Sequence, residues 1–407
     1  MHKFLLISFL LISALYCNGQ QPNKLTIGVI DSIYSEVLNE QREIWISLPD
    51  SYNSQTNSKY PVLFLLDGDA YFHSLSGIVK QLSSFGTTSY PKSVLVAIPN
   101  TNRYRDLMPF DPSTESLDSS GIERFTSFLE MELIPFIETK YPVLRYRTLI
   151  GHSLGGSFVI NTLINHQNLF TNYLAIDPEL KSHDYRFRDY AVDQMRNNNF
   201  EGKTLFLTVA NTMPKGLDTL MALQDTTWVT STIRSNLNFA QAVERINGNG
   251  LDFQWKYFSD ENHLSVPTIS EYYGLKYFFR WNTLDLDKII RTNPDISGES
   301  FFKKVTEHYR NITNKLGYET LPSHEQMNDL GYYYLKKEDF DGANLFFQYN
   351  IEYYSNNSNS YDSMGDFFIA AEQPKRAVEM FKKAIEIDGN PHSEKKLNEL
   401  NNKTTNK

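Results

Sequence analysis

The chain has a single cysteine, Cys17, in 407 residues. One thiol cannot close an internal disulfide, and structural zinc spacings need more than one Cys, so neither cross-links nor a structural zinc holds this chain together. Positive charge is also scarce: 39 Lys+Arg stand against 48 Asp+Glu, for a net charge of −9. With no run of Lys or Arg, the chain lacks the basic footprint of a nucleic-acid binder and the patch that reads lipid head groups. No apolar stretch is long enough for a membrane span, since the longest N-terminal one, Phe4 to Tyr16, is too short for a bilayer. What remains is an ordinary globular composition, 41% hydrophobic and 14% aromatic. At about 150 residues per domain the length suggests two or three domains with real cores.

The N-terminus reads as a targeting segment. His2 and Lys3 precede the apolar stretch, and Gly19 supplies a small residue for cleavage, so residues 1–19 are expected to be a signal peptide and the mature chain to start at Gln20, exported to a periplasmic or extracellular space. Lipid attachment at Cys17 is disfavoured because Tyr16, rather than a small residue, precedes it.

Beyond Leu25 the sequence alternates short apolar runs with helical patterns, as an α/β protein with a mainly parallel sheet does. Ile44–Leu48, Val62–Leu66, Val94–Ile98, Thr148–Ile150, Tyr173–Ile176 and Leu205–Val209 are nearly continuous apolar runs, suited to strands covered on both faces. Phe253–Tyr257 alternates and reads as a strand with one wetter face. Gly121–Lys140 and Gly155–His166 read as helices. Residues 20–285 are expected to form this domain and 286–297 a linker. Residues 298–397 should form an all-α region, and 398–407 a disordered tail. In the helical region Gly331, Ala343 and Phe347 recur as Gly365, Ala377 and Phe381, 34 residues on, a period that resembles the tetratricopeptide repeat. Such a region is either a helical cap on the first domain or a surface for a protein partner.

Chemistry is concentrated at Gly151-His152-Ser153-Leu154-Gly155-Gly156, which follows an apolar run and precedes an apolar helix. That is the context of a nucleophile elbow, where crowding leaves no room for side chains beside the serine. A serine hydroxyl needs a base, expected later in the chain at a strand end. His263, in Ser259-Asp260-Glu261-Asn262-His263 after the last strand, meets that requirement. The acid that orients it is expected after the strand ending near Val209, where Asp218 is the first candidate and Asp225 the second; a dyad without an acid stays open. Two backbone N–H groups should form the oxyanion hole, one from Leu154 and one from the loop Leu66-Asp67-Gly68-Asp69-Ala70, at Asp69 or Ala70. Arg105-Asp106 reads as a structural ion pair rather than a substrate-facing one, and Tyr185, Phe187 and Tyr190 as an aromatic stripe of the core.

Several motifs together carry a resemblance: Arg42-Glu43-Ile44-Trp45-Ile46-Ser47-Leu48-Pro49, Tyr60-Pro61-Val62 leading to Leu66-Asp67-Gly68, Arg103-Tyr104-Arg105-Asp106-Leu107-Met108-Pro109, Glu132-Leu133-Ile134-Pro135, Gly151 to Gly156, and Asn262 to Pro267. In that order, across about residues 25 to 281, they resemble the putative-esterase family of α/β-hydrolases, which includes siderophore, feruloyl and acetyl-xylan esterases and esterase D. The resemblance implies an α/β-hydrolase fold and ester hydrolysis through an acyl-enzyme, with Ser153 and His263 as nucleophile and base. It implies a small-molecule or glycan ester as substrate and no metal or cofactor, and it would place Tyr185, Phe187 and Tyr190 over the pocket instead of in the core. The chain departs from the family pattern after the seventh strand, where Thr212-Met213-Pro214 stands in place of an early acid. An acyltransferase using the same acyl-enzyme is an alternative outcome. An interaction protein, with the hydrolase fold as scaffold and the repeats as partner surface, is the alternative from another class.

Overall fold

The computed structural model describes residues 25–50, 52, 58–84, 90–109 and 121–405; the expected signal peptide, residues 1–19, lies outside them. Among the described residues eight strands form one sheet: β1 (Val29–Ser35), β2 (Glu40–Ser47), β3 (Tyr60–Leu66), β4 (Val94–Ile98), β5 (Val143–His152), β6 (Asn172–Ile176), β7 (Thr204–Ala210) and β8 (Asp252–Phe258), in the order β1-β2-β4-β3-β5-β6-β7-β8. β1 and β2 pair antiparallel, as do β2 and β4, and every pairing from β4 through β8 is parallel. The expected mainly parallel sheet is therefore present.

The continuous apolar runs become inner strands because both of their faces are covered. In β3, Val62, Phe64 and Leu66 pack into one core while Leu63 and Leu65 pack into another. Among the described residues the helices of this part are, in chain order, α1 (Gly68–Leu82), α2 (Arg103–Leu107), α3 (Gly121–Phe128), α4 (Ile134–Lys140), α5 (Leu154–Asn165), α6 (Arg186–Asn197), α7 (Thr219–Gln224), α8 (Ser231–Glu244) and α9 (Val266–Phe278). Helices α3 to α6 and α8 supply the first core and α1 and α9 the second. The helix expected over Gly121–Lys140 is interrupted by a π-helical turn at Leu129–Leu133, which buries Leu129 and Leu133.

The helical region continues with α10 (Leu286–Thr292), α11 (Gly298–Leu316), α12 (His324–Lys336), α13 (Phe340–Tyr353), α14 (Ser358–Ala370), α15 (Pro374–Asp388) and α16 (Pro391–Thr405) around its own core. Two expectations change here. The stretch expected to be a linker holds α10, capped by Asp285 accepting from the Lys288 N–H, with Leu286, Ile289 and Ile290 packed on the helical core. The tail expected to be disordered from 398 is helical through Thr405, since Leu397 and Leu400 reach that core and Lys396 bridges Asp362 and Asp366 at 2.7 Å each.

The 34-residue period has a packing cause. A Cβ on Gly331 would lie 2.6 Å from Phe347, and one on Gly365 would lie 2.3 Å from Phe381, so in each helix pair a ring seats directly on glycine backbone. Gly365→Ala is accordingly expected to destabilise the protein by about 1–3 kcal/mol, the usual cost of overpacking. A thermal melt would read this as a lowered Tm, and an unchanged Tm would mean that Phe381 moves aside freely.

Candidate active site

The candidate residues gather at the C-terminal edge of the parallel strands. β5 ends at His152, and the chain turns at Ser153 with φ 58° and ψ −116° before α5 begins at Leu154. Positive φ is costly for a side chain with a Cβ and is retained where surrounding structure imposes it. Here the turn is pinned: the Ser153 N–H donates to the Ile176 carbonyl at 3.0 Å, and the Ser153 carbonyl accepts from the Ser157 and Glu179 N–H groups at 3.1 and 3.0 Å. A Cβ on Gly151 would lie 2.3 Å from the Gly155 carbonyl oxygen, which explains why the elbow tolerates only glycine there.

The β5–β6 register pairs His152 with Ile176, so the residue after β6, Asp177, stands beside Ser153. Asp177 is fully buried, with φ 37°. Its Oδ1 accepts from the Ala210 N–H at 3.1 Å and from Asn236 Nδ2 at 2.9 Å, and its Oδ2 lies 2.6 Å from His263 Nδ1. The carboxylate that meets His263 is thus Asp177. Asp218, the first choice from sequence, lies in extended backbone at the start of α7, where its Oδ1 caps the helix by accepting from the Met221 N–H at 2.8 Å. Asp225 is likewise engaged locally, with Thr227 and Thr230, whose hydroxyls lie 2.7 Å from its Oδ2. A loop carboxylate with backbone N–H groups close at hand is satisfied by its own turn.

His263 sits in a fixed loop. Asn262 holds it by accepting from the Leu264 and Ser265 N–H groups, and the Asn211 N–H donates to the Glu261 carbonyl at 2.7 Å. Its ring lies 4.4 Å, centroid to centroid, from that of His152, the residue before the nucleophile. His152 is buried, and burial, with the adjacent His263 next in importance, lowers its pKa to about 4. It is therefore neutral at neutral pH. Its Nδ1 lies 2.9 Å from the Tyr71 hydroxyl, whose own pKa is raised chiefly by burial.

The start of α1 abuts the elbow: a Cβ on Gly155 would lie 3.2 Å from Asp67 Oδ2. Asp67 adopts a left-handed conformation, φ 52° and ψ 44°, and its carbonyl accepts from the Ala70 and Tyr71 N–H groups at 3.0 and 3.2 Å. Between the two loop candidates for the oxyanion hole, Ala70 is therefore engaged within the turn. The N–H groups of Asp69 and Leu154 fall in the first turns of α1 and α5, where helix geometry supplies no intrahelical acceptor. Arg103, which sequence reasoning left without a role, ties the two turns together. It donates to both Asp67 oxygens, at 2.6 and 3.0 Å, and to the His152 carbonyl at 3.1 Å. Arg105 and Asp106 lie deeper, in a cluster where Asp106 also binds the buried Arg42 at 2.7 Å, in keeping with a structural role. Phe187 is core, whereas Tyr185 is partly exposed and accepts from Arg234.

Sheet order, elbow and loop placement define the α/β-hydrolase fold. The sequence profile of the putative esterase family matches residues 35–229, so this part of the chain resembles that family. The chain is 29% identical over 203 residues to the ferri-bacillibactin esterase BesA of Bacillus subtilis, covering 45% of this chain and 70% of BesA. It is 29% identical over 154 residues to the uncharacterized protein YjcH of the same organism, covering 37% of this chain and 61% of YjcH. A solved IroE-like serine hydrolase from Shewanella oneidensis is 28% identical, with a TM-score of 0.61 over 78% of this chain and 97% of its own.

Behind the site, Glu271 on α9 is fully buried, with Ser74 Oγ 3.4 Å away, and burial raises its pKa from 4.5 to about 8. The folded state therefore holds a proton that the unfolded chain releases, and stability falls as pH rises from about 4.5 to about 8. Urea melts of wild type and Glu271→Gln should coincide in pH trend below that window. Within it the variant should gain by up to about 1.4 kcal/mol per pH unit. Parallel curves throughout would mean that Glu271 ionises freely in the fold.

Proposed function

We propose that the protein is an exported serine esterase that cleaves carboxylic esters through an acyl-enzyme, with Ser153 as nucleophile, His263 as general base and acid, and Asp177 as the orienting carboxylate. The observation that carries this reading is the 2.6 Å contact between Asp177 and His263, formed beside a serine held at φ 58°. In the first half-reaction the Ser153 hydroxyl attacks the ester carbonyl carbon and passes its proton to His263 Nε2. Asp177 keeps the Nδ1–H tautomer and stabilises the imidazolium. The carbonyl oxygen becomes an alkoxide, to which the N–H groups of Leu154 and Asp69 donate with the help of two helix N-termini. Collapse of this intermediate expels the alcohol, protonated by His263, and leaves the acyl group on Ser153. Water, deprotonated by His263, then attacks the acyl carbon, and the acid departs with the serine restored. A neutral His152 at 4.4 Å adds no charge to oppose the imidazolium.

BesA is a ferri-bacillibactin esterase, which supports siderophore esters as the first substrates to test, with acylated carbohydrates next. Export rests on the sequence pattern of residues 1–19. A protein partner on the helical repeats is a proposal carried by their 34-residue period alone. The chemistry is tested by exposing the protein from Gln20 to Lys407 to a fluorophosphonate and recording its intact mass. Wild type should gain one adduct and Ser153→Ala none. A folded wild type that gains no adduct would remove the activated serine on which this reading depends.

A further inference from the structure

The segment between β7 and α8 leaves the sheet and returns to it at one carboxylate: Ala210, its first anchor, and Asn236, just past its end, both donate to Asp177. It is joined to the His263 loop through Asn211 and Glu261, and the first turn of α8 that follows it is joined to the loop after β6 through Lys181 Nζ, 2.7 Å from Thr232 Oγ1. The excursion therefore emerges beside the candidate catalytic residues and is fixed to the loops that carry them.

Its exposed surface carries a concentration of apolar residues among the polar Lys215, Asp218, Gln224, Thr226 and Thr227. Leu217, Leu220, Met221, Trp228 and Val229 are exposed, and Leu264, next to His263, joins them from the neighbouring loop. Trp228 is 84% exposed, Leu264 80% and Leu220 69%. Isolated exposed apolar residues are commonplace, but five between Leu217 and Val229, with a sixth beside His263, are a concentration of the kind that marks binding surfaces. The turn that presents Trp228 is also built to stay in place. Asp225 accepts from the Thr227 N–H and from both threonine hydroxyls, while Arg234 reaches over the turn to the Asp225 and Thr227 carbonyls and to Tyr185. Polar clamps on both sides thus hold an indole out in water, an arrangement that gains free energy only when something apolar covers the ring.

We propose that this platform is the specificity-determining surface of the site and that it takes a bulky apolar group of the ester, of six carbons or more, in preference to an acetyl or methyl group. The proposal deepens the esterase reading and rests on it. The anchors point to the occupant: the excursion is tied to Asp177 and to the His263 loop, so an ester held at Ser153 extends toward it. The excursion carries one basic residue, the exposed Lys215 near its start, and Arg234 beyond its end is engaged by the carbonyls of Asp225 and Thr227, so the stretch from Leu217 to Val229 offers anionic groups no partner of its own.

The test compares kcat/KM for methyl acetate, methyl hexanoate and hexyl acetate, which place six carbons on neither, the acyl or the alcohol side. Wild type is expected to favour at least one six-carbon ester by about tenfold or more, since each methylene seated in an apolar site adds a sizeable factor. Trp228→Ser and Leu220→Ser, both at exposed positions and so expected to keep the wild-type Tm, should lower that preference by about tenfold and leave methyl acetate unchanged. Equal rates on all three esters, or variants that lower all three alike, would overturn the platform while leaving the esterase intact. No turnover of any ester, together with no fluorophosphonate adduct, would remove the esterase reading itself.

Discussion

One buried carboxylate organises the candidate site. Asp177 carries no solvent exposure, and a charge in that position is tolerated only when its oxygens are paired. Each of its partners comes from a different element: the end of β7, the helix α8, and the loop after β8. The carboxylate therefore does more than orient an imidazole. It fixes the C-terminal ends of three neighbouring strands with respect to the elbow on β5, and it anchors both ends of the apolar excursion. Loss of the carboxylate would release the base and the platform together.

A second tie complements it on the other side of Ser153. Arg103 grips Asp67 with two hydrogen bonds and the His152 carbonyl with a third, joining the start of α1 to the end of β5. The expected oxyanion donors, Asp69 and Leu154, follow these two points in the chain, so their separation is set by a charge-assisted, two-pronged contact, which is among the stiffer polar contacts available to a protein. The proposed base and the expected oxyanion donors are thus held by separate ionic contacts, with the strained serine turn between them.

The inner strands were legible because burial on both faces leaves continuous apolar runs, and the elbow because its glycines are crowded, Gly151 above all, where a Cβ would lie 2.3 Å from a backbone oxygen. The place of His263, in a loop after the last parallel strand, was legible by elimination among the histidines. Its carboxylate partner was not. Asp177-Pro178 has the appearance of an ordinary turn, and Asp218 the appearance of a residue in the right loop. What decides between them is register: β6 pairs with β5 so that Asp177 stands next to Ser153, and register between distant strands is not written in either strand alone. The available signal was an aspartate at the end of the strand that neighbours the elbow. β1, an edge strand with Val29 and Ile30 exposed, left no apolar run to find, and α10 and the end of α16 were hidden because their few apolar residues dock on a core built elsewhere in the chain.

The central claim, that Asp177 rather than Asp218 completes the site, is tested most directly by kcat and Tm for Asp177→Asn and Asp218→Asn on any ester the protein turns over. Asp177→Asn should lower kcat roughly a thousandfold or more, by analogy with loss of the orienting carboxylate in serine hydrolases. Asp218→Asn retains a capping side chain and should stay within about twofold of wild type. A folded Asp177→Asn protein with near-normal kcat, beside an inactive Asp218→Asn, would contradict the account.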